Sequence, residues 1–259
     1  MANTSGAVRE HKVGSDNLCD ACRGNTPLDF DFHMVFQPIF DAAGHSVFAH
    51  EALVRGPQGQ GAGWVFGFVN DSNLYQFDQA CRVKAIQQAA ALNINSLLSI
   101  NFLPNAVYRP ELCIRKTLEA AEASGFPISN IMFEFTESEK MTDIAHVKNI
   151  INHYRQMGFK TAIDDFGAGY SGLNLLSDLA TDYVKLDMAL IRDIDSNPRK
   201  QAIVRGTIAI ASELGTTIIA EGVETAAEMQ CLQDLGVSLF QGFYLARPQA
   251  QPVLAFPGL

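Results

Sequence analysis

The sequence predicts an α/β protein, a modified eight-stranded (β/α) barrel of the TIM type with one antiparallel strand near the N-terminus. Three observations carry this expectation. Four segments repeat one grammar: an amphipathic helix, a glycine, then a short apolar run rich in β-formers. Eight such apolar runs can be counted along the chain. The first two are joined only by Asp41–His45, too short for a crossover helix, so they must pair antiparallel.

In chain order, residues 1–29 are polar, rich in Gly, Asn and Asp, and without sustained period. They predict a flexible arm carrying the pair Cys19-x-x-Cys22, and residues 30–259 predict the barrel domain. Strands are expected at Met34–Ile39, Val47–Leu53, Leu97–Asn101, Ile131–Phe135, Thr161–Asp164, Tyr183–Lys185, Thr217–Ala220 and Ser238–Gln241. Helices are expected at Glu111–Ser124, Asp143–Met157, Arg199–Leu214 and Ala226–Leu235, each followed by a glycine suited to the left-handed position beyond a helix end. Thr225 and Glu228 have the spacing of a capping box that opens the last of these helices.

Length and composition narrow the function classes. A chain of 259 residues with 47% hydrophobic residues is ordinary for one such barrel. The net charge of −9 argues against a broad basic surface for a DNA or RNA duplex. No apolar run reaches the roughly 18 residues of a membrane span, and no basic-then-apolar leader opens the chain. The five cysteines are an odd count, and three fall within apolar helical patterns, which fits reduced thiols and a cytoplasmic location. The pair at 19 and 22 supplies two thiolates where structural zinc takes four ligands, so a packed or unstructured pair is expected ahead of a metal or redox site.

The strongest chemical signal is positional. Nearly every apolar run stops at a polar residue: Asn101, Glu134, Asp164 with Asp165, Lys185, Glu221 and Gln241, while the second strand carries Glu51. In an α/β barrel the parallel strand ends open on one face. Five carboxylates gathered there cannot all stay ionised without counter-charge. An all-oxygen set suits hard cations such as Mg²⁺ or Mn²⁺, and a pair of them suits in-line phosphoryl displacement. None of the six histidines shows metal-site spacing. Lys185 by itself fits a structural salt bridge or a Schiff-base lysine equally well. The run Asp164-Asp165-Phe166-Gly167-Ala168-Gly169-Tyr170-Ser171-Gly172 reads as a mobile active-site loop, and it is not a dinucleotide fingerprint.

These residues stand within ordered motifs: Gln37-Pro38-Ile39, Glu51-Ala52-Leu53-Val54-Arg55, Asn101, Glu134-Phe135-Thr136-Glu137, Asp164-Asp165-Phe166-Gly167, Tyr183-Val184-Lys185-Leu186-Asp187, Glu221-Gly222-Val223-Glu224 and Gln241-Gly242-Phe243. From about Phe32 to Pro248 the chain resembles the EAL family of cyclic di-GMP phosphodiesterases. The resemblance implies hydrolysis of cyclic di-GMP to the linear dinucleotide pGpG in bacterial signalling, with two divalent cations, Mg²⁺ or Mn²⁺. It places the metals on Glu51, Asn101, Glu134, Asp164, Asp165 and Glu221, and a catalytic set on Lys185, Glu51, Asp165 and Gln241. The dinucleotide falls to Gln37, Leu53, Arg55, Asn101, Asp164, Lys185, Gly222, Glu224 and Gln241. Glu137 is implied as the anchor of the glycine-rich loop, which couples to a homodimer, and Leu173–Leu179 is expected to present leucines to the second subunit. The rival is a catalytically inactive EAL-type receptor or partner-binding regulator. The chain departs from the family at Asn101-Phe102-Leu103-Pro104, where a serine is common, and at Gly172. The stretch Gly56–Phe77 and the cysteine pair look more like EAL domains that follow blue-light flavin sensors, although no sensor or cyclase segment is seen and the upstream signal is unknown.

Overall fold

Short runs dominated by aliphatic, β-branched and aromatic residues fold as strands because such side chains fill a pleated surface buried on both faces. The structure, a computed structural model, describes residues 28–107, 109–136, 143–169 and 172–256. Its strands are β1 (His33–Asp41), β2 (Ser46–Arg55), β3 (Leu97–Phe102), β4 (Ile131–Thr136), β5 (Lys160–Phe166), β6 (Tyr183–Leu186), β7 (Thr217–Ala220) and β8 (Leu239–Phe240). They hydrogen-bond in sequence order and close into a barrel. Strand β1 is antiparallel to both β2 and β8, and every other neighbouring pair is parallel. The tight β1–β2 connection is fastened by Asp41, whose Oδ1 accepts the backbone N–H groups of Ala43 and Gly44, both at 3.0 Å.

Among the described residues the helices are α1 (Ala62–Phe66), α2 (Leu74–Ala91), α3 (Pro110–Cys113), α4 (Arg115–Ser124), α5 (Ile144–Gln156), α6 (Gly172–Asp178), α7 (Met188–Ile191), α8 (Pro198–Leu214) and α9 (Ala226–Asp234). Gly125 and Gly215 close α4 and α8 at φ 64° and 70°, the left-handed cap expected of them. The capping box of Thr225 and Glu228 is present at the start of α9. Two sequence expectations need correction, and one helix had no sequence-based bounds. The helix expected over 111–124 is interrupted at Ile114, giving α3 and α4. Periodicity set no bounds for α2, because its inward stripe is partly polar: Asp78, Gln79 and Arg82 are buried beside Tyr75, Ala85, Ile86 and Ala89. Of the leucines after the glycine-rich loop only Leu173 is exposed; Leu175, Leu176 and Leu179 are buried.

The C-terminal segment packs along the outer side of β1. Phe36 and Gln249 exchange backbone hydrogen bonds at 2.8 and 3.0 Å, and Phe256 packs edge-on against Phe40. His50 is buried there with both ring nitrogens bonded, to Ser96 Oγ at 2.8 Å and to Val253 O at 2.9 Å, a packing role rather than a catalytic one. The cysteine pair lies outside the described residues, and Cys81, Cys113 and Cys231 are free thiols. No helix among the described residues is long and apolar enough to cross a membrane.

Candidate active site

Side chains alternate across a strand, so residues two apart share the barrel interior. One interior layer is apolar: Ile39, Ala49, Met132, Ala162, Ile219 and Leu239, with Leu97 and Tyr183 packed against it. Two residues further toward the carboxyl ends, counted backward on the antiparallel β1, every position is polar. These residues are Gln37, Glu51, Ser99, Glu134, Asp164, Lys185, Glu221 and Gln241. A greasy floor therefore carries a polar layer at the mouth where the parallel strands end.

Lys185 stands at the centre of this layer with 1% of its surface exposed. Its Nζ lies 2.7 Å from Glu221 Oε1, 2.8 Å from Glu134 Oε1, 3.0 Å from Asp164 Oδ1 and 3.7 Å from Glu51 Oε2. Burial disfavours the ammonium, yet Asp164, Glu134, Glu221 and Glu51 outweigh it and hold Lys185 well above its ordinary value. Glu51 is gripped by amides: Asn101 Nδ2 donates to Oε1 at 3.0 Å and Gln241 Nε2 donates to Oε2 at 2.7 Å. Gln241 Nε2 also reaches Gln37 Oε1 at 3.2 Å, and Ser99 Oγ donates to Glu134 Oε1.

Asp165 joins the site by a backbone irregularity. Neighbouring residues in a regular strand face opposite sides, but the β5–β6 register shifts between Ile163 and Phe166, and Asp165 takes φ 54°. This left-handed conformation is strained for most residues and tolerated by aspartate. As a result Asp164 and Asp165 both face one cleft. That cleft, of about 260 Å³, is walled further by Gln37, Leu53, Asp187, Met188, Gly222, Glu224 and Phe243.

The layer holds more negative charge than it can keep. Burial pushes Glu134 up to about 8 against the pull of Lys185. Burial, then the adjoining Asp164, raises Asp165 to about 6. Burial also lifts Glu221 well above the carboxylate range. Oxygens of Asp164, Asp165 and Glu221 lie within 4.8 Å of one another, close enough to share one cation. Glu134 Oε2 and Gln241 Oε1 are buried acceptors without a hydrogen-bond donor. Asp164 Oδ1 is near Lys185 but not aligned to accept from it. Unsatisfied buried acceptors and surplus carboxylates fit an oxygen-liganded divalent cation.

The family model described as "EAL domain" matches residues 21–248. The chain belongs to the EAL family. A standalone versatile EAL protein from Vibrio cholerae O395, solved in a c-di-GMP bound form, superposes with a TM-score of 0.87 at 52% identity, covering 90% of this chain and 98% of that one. The manganese/cy-diGMP complex of Klebsiella pneumoniae BlrP1 superposes with a TM-score of 0.80 at 36% identity, over 84% of this chain and 56% of that one. The Escherichia coli blue light- and temperature-regulated antirepressor BluF is 30% identical over 247 residues, 94% of this chain. The cyclic di-GMP phosphodiesterase PA2567 of Pseudomonas aeruginosa is 30% identical over 230 residues, 84% of this chain. The chain spans 61% of the first of these curated relatives and 38% of the second.

The EAL barrel brings together most residues expected from sequence. Glu51, Asn101, Glu134, Asp164, Asp165, Lys185, Glu221 and Gln241 form one connected cluster. Gln37, Leu53, Gly222 and Glu224 line its cleft. Arg55 does not: its Nη1 donates to Val54 O at 2.7 Å and it is absent from the cleft wall. Glu137 lies outside the described residues, as do Tyr170 and Ser171 of the glycine-rich loop. Ser99 and Met188 were not singled out beforehand, and Asp187 and Phe243 stood in the sequence motifs without an assigned role. Ser99 was reachable by parity, two residues before Asn101 on the same face of β3.

Proposed function

We propose that this EAL domain hydrolyses cyclic di-GMP to the linear dinucleotide pGpG with two divalent cations, Mg²⁺ or Mn²⁺. The reading is carried by one observation: a complete layer of carboxylates and amides surrounds a buried lysine, with acceptor atoms left unsatisfied. Glu51, Asn101, Glu134, Asp164, Asp165 and Glu221 would hold the metals. Bound there, the cations supply electrophilic activation of the phosphodiester and of the attacking water. Lys185 Nζ orients that water and offsets charge developing on the phosphoryl oxygens. Gln241 and Asn101 hold Glu51 in one orientation, so the site needs little reorganisation during reaction.

Substrate placement follows from two adjoining spaces. The acidic cleft takes the scissile phosphate against Leu53, Gly222 and Glu224. A second chamber of about 300 Å³ shares Glu51 and Leu53 with it and is lined by Val54, Phe66, Phe77 and Cys81, with Asp78, Asn101 and Thr136 as polar members of its wall. An apolar, aromatic chamber with a polar edge suits one planar base of the dinucleotide.

The similarity to BluF, whose name describes an antirepressor, favours a second reading in which an EAL domain acts by binding a partner. The two readings separate in one experiment: purified protein is incubated with cyclic di-GMP in Mg²⁺, Mn²⁺, Ca²⁺ or excess chelator and the products are resolved. Turnover is expected with Mg²⁺ or Mn²⁺ and not with Ca²⁺, whose longer bonds and higher coordination number misplace the reacting groups. Full activity in calcium or in chelator would remove the two-metal reading. Binding without turnover in every metal would favour the receptor.

A further inference from the structure

The three loops that follow β6, β7 and β8 touch at the level of backbone. A Cβ at Gly222 would lie 2.4 Å from Met188 Cβ, and one at Gly242 would lie 2.0 Å from Val223 O. Val223 N–H donates to Gln241 O and Tyr244 N–H donates to Val223 O, both at 3.1 Å. Site residues stand on all three loops: Met188 after β6, Glu221 and Gly222 after β7, and Gln241 after β8.

Two of these loops are held from behind by one carboxylate. Glu228, in the first turn of α9, is 4% exposed and does not line the cleft. Its Oε2 accepts the N–H groups of Glu224 at 2.9 Å and Thr225 at 3.0 Å, on the loop that begins at Glu221. Its Oε1 accepts the N–H of Asp193 at 2.9 Å, just beyond α7 on the connection from β6 to β7. A capping box needs only the bond to Thr225; the other two tie the helix to the barrel mouth. Asp193 sits at φ 58°, a left-handed conformation a non-glycine residue keeps only under restraint. Burial works against the ionised carboxyl, and the N–H groups of Asp193, Glu224 and Thr225 overcome it, holding Glu228 below the usual range.

We propose that Glu228 is a positioning residue for the metal-binding carboxylate Glu221: by clasping the β6 and β7 loops together it sets how Glu221 meets Asp164 and Asp165. The proposal rests on the metal-site reading above. Groups that orient a metal ligand without touching the metal typically change affinity by about 10–100-fold when lost.

The test is calorimetric titration of the full chain with Mn²⁺, alongside Tm and steady-state kinetics on cyclic di-GMP. Glu228→Gln keeps a capping acceptor but cannot accept from three N–H groups at once. Its Mn²⁺ dissociation constant is expected to rise about tenfold or more, while kcat at saturating Mn²⁺ stays within about threefold of wild type, because the reacting groups themselves are intact. Asn197→Ala is the control for helix capping alone, since the Asn197 side chain caps α8 through Arg199 N and Lys200 N and bonds none of Asp193, Glu224 and Thr225. It is expected to lower Tm without changing Mn²⁺ affinity. If Glu228→Gln does not fold, Glu228→Asp replaces it, with a side chain that caps α9 and falls short of Asp193. Mn²⁺ affinity within about twofold of wild type in a folded Glu228 variant, or an equal loss in Asn197→Ala, would overturn the positioning role. A wild-type chain that binds no Mn²⁺ would overturn the metal-site reading itself, a separate result.

Discussion

Lys185→Met is expected to lower turnover of cyclic di-GMP by about two orders of magnitude or more and, in chelator, to lower Tm by about 6–12 °C. The two effects have one origin. Among the described residues no other lysine or arginine forms an ion pair with Glu51, Glu134, Asp164 or Glu221. Removing one partner of a buried ion pair leaves uncompensated charge and costs about 3–5 kcal/mol. The lower part of that range is expected here, because Glu134, already raised to about 8, and Glu221 can take up protons. Excess Mn²⁺ should restore most of the lost Tm, since the same carboxylates then have a cation. It should not restore turnover, because the ammonium acts on charge that develops during reaction, and ground-state binding of the dinucleotide should change little. Thermal unfolding in EDTA and in Mn²⁺, beside single-turnover kinetics, checks both parts. An unchanged Tm in chelator would show that the carboxylates do not depend on Lys185, and normal turnover would remove it from the chemistry.

Arg82→Met is expected to destabilise the fold by about 3–5 kcal/mol. Arg82 and Asp78 form a fully buried pair one turn apart on α2, with Nη2 to Oδ2 at 2.7 Å and both side chains 1% exposed. Arg82 also donates to Thr117 Oγ1 at 2.9 Å, and Asp78 Oδ1 accepts from Leu103 N at 3.3 Å. Loss of the guanidinium leaves a buried carboxylate without its counter-charge. Replacing both charges, as Asp78→Asn with Arg82→Met, should recover most of the loss, because the amide oxygen still accepts from Leu103 and no unpaired charge remains. Urea denaturation of the single and double variants reads this directly. Leu103 follows Asn101 by two residues, so the double variant is also expected to keep Asn101 against Glu51. A single variant as stable as wild type would mean that Asp78 is neutral in the folded protein.

Much of this site was legible because most apolar runs of the parallel strands stop at a polar side chain. An apolar run that stops at Glu134, Lys185 or Glu221 can be read without any knowledge of the fold, and barrel geometry then gathers the stops. Ser99 was hidden because it sits inside an apolar run rather than at its end. Asp165 was legible as a carboxylate, but plain alternation would have turned it away from the cleft; only the positive φ and the register shift turn it in. Met188 and Asp187 follow β6 on a loop whose path depends on Gly222, which no period reveals. Helix α2 escaped delimitation for a related reason. Its buried stripe has helical spacing, but Asp78, Gln79 and Arg82 occupy places where an apolar residue is the usual marker. Arg55 was set on the substrate by motif order alone; its guanidinium here bonds the neighbouring carbonyl of Val54.

The central claim is that this polar layer performs water attack on a phosphodiester, and incorporation of solvent oxygen tests it most directly. Cyclic di-GMP is turned over in H₂¹⁸O with Mn²⁺, and the linear product is weighed by mass spectrometry. The account predicts one ¹⁸O atom per product, located in its terminal phosphate, and no product from Asp164→Ala under the same conditions. Tight binding of cyclic di-GMP by the wild-type chain, with no linear product in Mg²⁺ or Mn²⁺, would contradict it.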